Sequence, residues 1–179
     1  MESKSTISPI LFYSAIDIES IEGLMRNLKE YQDKSACNPT KIKIYMSTPG
    51  GDISLSEAVA DYINNIFAEG MNIEIVCVGQ ISSAGLVMLL ELDCPVRLLS
   101  PSFAIFHLAT RDLDYRDQLS LFSSTNYKKD MLEYYNNKML NKLKDLGVNK
   151  DRLERVERGE DILFNIEELK QLLKNKGEK

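Results

Sequence analysis

Apolar residues along this chain recur with a period of two in some stretches and near 3.6 in others, and the switches mark its elements. Ile7 to Tyr13 reads as a first strand. From Ile18 onward, Ile21, Leu24, Met25, Leu28 and Tyr31 recur at helical spacing. Asp33 to Pro39 is a polar loop. Lys41 to Met46 alternates as a half-buried strand does and then runs into Ser47-Thr-Pro-Gly-Gly51. Ile53 to Phe67 is amphipathic through Leu55, Ala58, Val59, Tyr62, Ile63 and Ile66, with Gly70 just past its end. Ile73 to Val78 is an apolar run broken by one Glu, the pattern of a buried parallel strand. It feeds Gly79 to Ser83 and then a nearly all-apolar helix, Ala84 to Leu92. Pro95 to Leu99 and Phe103 to Phe106 predict two short strands around a Ser100-Pro101 turn.

The remaining residues are more polar. Residues 110–126 show no clean period. Tyr127 to Leu146 predicts a long helix with Met131, Tyr134, Tyr135, Met139, Leu143 and Leu146 on one side and Gly147 as its stop. A short helix over Lys150 to Arg158 ends near Gly159, and Glu160 to Phe164 is a brief extended piece. Asn165 with Glu168 has the spacing of a capping box opening a last helix, Ile166 to Lys174, after which the tail is expected to fray. The repeated strand-helix order predicts an α/β fold of parallel βαβ units. No internal repeat, low-complexity tract or linker interrupts it, so residues 1–179 are expected to form one domain.

Composition narrows the function classes. A net charge of −5 and a pI near 5.1 argue against a nucleic-acid-binding surface. No apolar run approaches the roughly 20 residues that span a bilayer. The opening residues, with an acid and a proline ahead of a short apolar stretch, do not resemble a signal peptide. Cys37, Cys77 and Cys94 are odd in number and widely spaced. With one histidine and no Cys-x-x-Cys, neither a metal site nor a cofactor is expected. Reduced thiols and a cytoplasmic location are expected, with Cys77 a buried small hydrophobe.

Two turns carry the chemistry. Ser47 to Gly51 and Gly79-Gln-Ile-Ser-Ser-Ala-Gly85 each follow a strand pattern and precede a helix pattern. A strand that turns sharply into a helix leaves backbone N–H groups aimed at one spot, which suits a developing oxyanion. The second turn adds a hydroxyl, and His107, the only histidine, follows another apolar run. A serine needs a base to take its proton, and histidine is the side chain suited to that near neutrality. The carboxyl ends of the strands are where an open α/β sheet places its site, so the three can meet there. Gly51 and Ala84 are the candidate oxyanion donors, and acyl transfer is the reaction class indicated. Each feature has a plainer reading. A Ser-Ser pair before a helix is commonly an N-cap, a lone histidine at a strand end is commonly structural, and Asp161 beside Glu160 can be ordinary helix-approach charge.

These motifs resemble the proteolytic subunit of the Clp protease, within the Clp-protease/crotonase-like fold. That family carries a Ser-Pro-Gly-Gly loop, a Gly-x-Ala-Ala-Ser-Met-Gly nucleophile turn and a histidine after a short strand. The counterparts are Ser47-Thr48-Pro49-Gly50-Gly51, Gly79 to Gly85, and Ala104-Ile-Phe-His107. The family nucleophile lies two residues before the second glycine, which selects Ser83. The family aspartate precedes a segment matched in register by Asp161-Ile-Leu-Phe-Asn-Ile-Glu-Glu-Leu169, which selects Asp161. The helix from Tyr127 resembles the family's handle helix. The resemblance implies a serine peptidase using Ser83, His107 and Asp161 on peptides or unfolded proteins inside a homo-oligomeric ring, with an unfoldase ATPase as a possible partner. In place of the family's Gly-rich strand after the histidine stands Leu108 to Asp117, charged and without glycine. That departure motivates a second expectation, a catalytically silent structural or regulatory subunit in a mixed ring with a paralogue. A crotonase-like acyl-CoA enzyme is a third.

Overall fold

The computed structural model describes residues 9–35, 41–109 and 127–177. Its elements are β1 (Ile10–Tyr13), α1 (Ile18–Ser35), β2 (Ile42–Thr48), α2 (Ile53–Ala68), β3 (Ile73–Ile81) and α3 (Ala84–Glu91), then β4 (Val96–Phe106), α4 (Tyr127–Asp145), α5 (Lys150–Glu157), β5 (Ile162–Phe164) and α6 (Ile166–Gly177). The five strands form a sheet in chain order, β1 to β4 parallel and β5 antiparallel to β4. The expected α/β architecture of βαβ units is therefore observed.

Strand alternation sets the layers. Ile10 and Phe12, Ile42, Ile44 and Met46, and Ile73, Ile75 and Cys77 turn to one face and bury under α1, α2 and α3. Leu11 and Tyr13 point the other way and are exposed. Leu86, Val87 and Leu90 of α3 join Ala104, Phe106 and residues of α4, α5, β5 and α6 in a second cluster. Helix α3 thus lies between two cores, which is why it is apolar all round. Burial raises the Cys77 thiol to about 12, leaving it protonated and inert at neutral pH.

Four expectations are corrected. The two strands expected around Ser100-Pro101 are one strand, β4. From Val78 to Gln80 β3 advances two positions while β4 advances four, Leu99 to Phe103. The irregularity is closed by the Ser102 hydroxyl, which donates to the carbonyl oxygens of Cys77 and Leu99. Second, β3 does not stop at Val78 but continues to Ile81. Against β2 it absorbs a bulge, Met46 pairing Cys77 and Thr48 pairing Ile81, and Gly79 supplies the φ of 82° found there. Third, Asp33 is helical rather than looped, α1 running on through Ser35 with a Lys29–Asp33 ion pair at 3.0 Å one turn apart. Residues 36–39 of that loop lie outside the described residues, as do Ile7, residues 110–126 and the last two residues. Fourth, α6 extends to Gly177 because Asn175 Nδ2 donates to the Leu146 carbonyl at 2.6 Å and Lys176 reaches Asp93 at 3.8 Å. The expected capping box at its other end is present. Asn165 Oδ1 accepts from the N–H groups of Glu167 and Glu168, and Glu168 accepts from Asn165 N–H at 2.9 Å.

Candidate active site

The ends of β2, β3 and β4 bring the two glycine turns and the histidine to one side of the sheet. Ser83 occupies the N-cap position of α3 with φ 52° and ψ −124°. A non-glycine residue there is strained by about 1–3 kcal/mol, and such strain persists only where surrounding contacts impose it. Those contacts are specific. Ser83 N–H donates to the Ile105 carbonyl at 2.8 Å, and Ser82 N–H to the Thr48 carbonyl at 3.0 Å. A Cβ on Gly50 would stand 2.6 Å from Ser83 Cβ, and one on Gly85 would stand 2.4 Å from Thr48 Cγ2. Neither position has room for a side chain: Gly50 is closed in by Ser83 Cβ and the backbone of Ser82 and Ala84, and Gly85 by the Thr48 side chain.

The adjacent serines have opposite fates. Ser82 is buried, and its hydroxyl oxygen accepts from Ile105 N–H and from Gln80 Nε2, each at 3.1 Å. Ser83 is partly exposed, makes no side-chain capping bond and lines a cleft with His107. The cleft encloses about 410 Å³ of empty space, part of it open to solvent. Its apolar wall includes Ile53, Val87, Phe106 and Met139.

Gly51 and Ala84 sit at the same end. Gly51 (φ 147°) is pressed against β1's extension, where a Cβ would stand 2.2 Å from the Ile16 carbonyl oxygen. Its neighbours make the local bonds: Ile16 N–H donates to the Gly50 carbonyl, and Asp52 N–H to the Ile16 carbonyl. Among the described hydrogen bonds, neither the Gly51 N–H nor the Ala84 N–H has an acceptor, the latter as expected in a first helical turn. The Ala84 nitrogen would be 3.1 Å from a Gly50 Cβ, so the two loops touch where these donors emerge.

His107 follows β4 directly. Its Nδ1 lies 2.9 Å from the Leu108 carbonyl oxygen. Asp161 is exposed and stands one position before β5. Pairing of Phe106 with Ile162, carried one residue further, sets His107 opposite Asp161. Among the described residues no hydrogen bond or ion pair joins the two, and none joins Ser83 to His107. The cleft therefore gathers Ser83, Ala84 and His107 with Gly51 adjoining, while Asp161 faces the histidine across the strands without bonding it.

Residues not expected from the sequence complete the wall. Asn136 of α4 grips Ala109, its Oδ1 accepting from the N–H at 2.7 Å and its Nδ2 donating to the carbonyl at 3.3 Å. Lys138 donates to Glu57 at 2.7 Å and Lys142 pairs with Glu91 at 2.8 Å, tying α4 to α2 and α3. The Glu57 carboxylate, foremost, holds the Lys138 ammonium above the ordinary lysine range. Lys138 and Lys142 are one helical turn apart, a visible signal of a shared face. Their acidic partners sit on other helices and carry no such mark.

A family model described as Clp protease matches residues 7–107. No curated protein matches the chain. Among solved structures, a ClpP1 mutant from Listeria monocytogenes is similar over 92% of this chain and 86% of its own, with 15% identity and a TM-score of 0.65. That likeness is one of fold.

Proposed function

The chain belongs to the Clp protease family, and on that premise we propose that it is a serine peptidase with Ser83 as nucleophile and His107 as base. What carries this reading is that a serine in a left-handed backbone conformation and the chain's only histidine line one cleft. The sharp turn lifts the Ser83 hydroxyl clear of its helix, as in other strand-to-helix nucleophile turns. His107 takes the hydroxyl proton as the oxygen attacks a peptide carbonyl, then returns it to the leaving amine. The N–H groups of Gly51 and Ala84, both without acceptors, receive the oxyanion; one such donor is worth about 3–4 kcal/mol in a transition state. Asp161 contributes a negative charge facing the imidazolium that forms. The substrates are peptides or unfolded protein segments, and the setting is a cytoplasmic homo-oligomeric ring supplied by an unfoldase ATPase.

Reaction with a fluorophosphonate, read by intact mass on wild type and Ser83→Ala, tests this. One adduct on wild type and none on the variant is the expected result. No adduct on the wild-type assembly sinks it.

The absence of a Ser83–His107 hydrogen bond among the described residues supports a second reading, a subunit that is silent alone and works in a mixed ring with a paralogue. Native mass spectrometry showing a mixed ring, with no adduct on this chain, favours it. Robust cleavage by the isolated chain excludes it.

A further inference from the structure

We propose that Thr48 is a positioning residue for the oxyanion site: its hydroxyl sets where the Gly51 N–H points, and the rest of the residue ties that loop to the nucleophile turn. The inference rests on Ser83 being the nucleophile and adds what holds the oxyanion donors in place. Thr48 closes β2 and is 1% exposed. Each of its parts touches a different piece of the site. Oγ1 accepts from the Gly50 N–H at 3.1 Å. The carbonyl accepts from the Ser82 N–H at 3.0 Å. The methyl carbon lies against Gly85, where an added Cβ would overlap it. Ser47 beside it is committed elsewhere, its hydroxyl donating to the Gln80 carbonyl at 3.2 Å.

Two successive peptide units decide the direction of the Gly51 donor. A planar trans unit points its carbonyl and its N–H in opposite directions. The Gly50 carbonyl and the Gly51 N–H share one unit. The Ile16 N–H holds that carbonyl at 2.8 Å, which turns the Gly51 N–H away from Ile16 and leaves it without an acceptor among the described hydrogen bonds. The preceding unit carries the Gly50 N–H, and Thr48 Oγ1 holds that one. Gly50 sits at φ 105°, and glycine has the widest backbone freedom of any residue, so pinning the units on both sides of it is what fixes the loop. Without the hydroxyl the 49–50 unit is released and the N–H of a buried glycine is left unpaired. The other donor, the Ala84 N–H, lies in the turn that Thr48 holds through Ser82 and Gly85. One residue thus sets the spacing between both donors, with the hydroxyl on one loop and the methyl on the other.

The two branches of the side chain allow the test. Thr48→Val keeps the methyl and loses the acceptor; Thr48→Ser keeps the acceptor and loses the methyl. Both are expected to lower the urea midpoint of the full chain, Thr48→Val by leaving a buried donor unpaired and Thr48→Ser by opening a small cavity beside Gly85. Of the two, only Thr48→Val is expected to slow fluorophosphonate labelling of Ser83, because the phosphonyl oxygen takes the oxyanion's place. The expected fall is at least about tenfold, part of the roughly 10²–10³ lost with a whole oxyanion donor. Hydrogen exchange read by mass spectrometry is expected to quicken in the peptide carrying Gly50 and Gly51 in Thr48→Val and to match wild type in Thr48→Ser. Thr48→Ala, which lacks both branches, is expected to share the slow labelling and fast exchange, and it replaces Thr48→Val if that variant does not fold. Labelling that slows equally in Thr48→Val and Thr48→Ser, in step with stability, overturns the proposal, as does unchanged exchange around Gly50 in Thr48→Val. If wild type takes no adduct, the peptidase reading fails, while the exchange comparison still decides whether Thr48 sets this loop.

Discussion

Ser83 and His107 face one cleft, yet the loop that presents the serine is held by backbone packing and the strand end that presents the histidine by side-chain bonds. Around Ser83, three glycines stand where a single added carbon would meet neighbouring atoms at 2.2–2.6 Å. The Ser82 and Ser83 N–H groups are both taken by carbonyls of adjoining strands. Past His107, the chain is gripped by Asn136, and α4 is tied down by exposed or half-buried ion pairs. Contacts of the first kind leave no alternative arrangement; those of the second can open and reclose at modest cost. The turn that carries Ser83, Gly51 and Ala84 is therefore built in, whereas the strand end that carries His107 is adjustable.

Three substitutions break or sharpen that contrast. The largest effect is expected for Gly51→Ala, where a side chain at φ 147° would be driven into the Ile16 carbonyl. Overpacking and backbone strain together predict a loss of about 3–5 kcal/mol by urea denaturation, or no folded protein. Wild-type stability in that variant would show the loop to be plastic. Ser82→Ala comes next. It removes the acceptor for the half-buried Ile105 N–H and is expected to cost about 1–2 kcal/mol in the same measurement. Labelling of Ser83 in the fraction that remains folded should persist. Loss of labelling with stability intact would instead make Ser82 part of the chemistry.

The smallest effect belongs to the α4 side. Lys138→Met removes the ion pair to Glu57, whose members are 40% and 21% exposed. A pair so wet contributes about 0.5 kcal/mol or less after screening, and the difference from wild type should vanish in 1 M salt. The Lys138 pKa is raised, so its contribution is fully present at neutral pH and is lost only as pH climbs through the lysine range. A loss comparable with that of Ser82→Ala would place α4 among the rigid parts and erase the contrast.

Local signals were legible in the residues themselves. Period-two alternation marks β2, the apolar run marks β3, and the Asn165–Glu168 spacing marks the start of α6, because each depends on residues a few positions apart. Where strand and break signals compete, the sequence misleads. Gly79 and Pro101 read as stops, yet both strands continue, since cross-strand pairing and the Ser102 hydroxyl absorb the irregularities.

The sequence by itself determined the candidates: two glycine turns, a pair of serines, one histidine and a carboxylate in family register. Only the tertiary structure decided how differently they are placed. That Ser82 is buried as an acceptor while Ser83 is turned out at φ 52° follows from β4 lying beside their loop. That Gly50 rather than Gly51 packs against Ser83 follows from the loop's path over α3. That an asparagine on α4 grips the peptide beside the histidine has no mark in the chain, because Asn136 and Ala109 are 27 residues apart. A pattern along the chain records which residues share a face of one element. It does not record which elements meet, and the hydrogen bonds that assign chemical roles form where they meet.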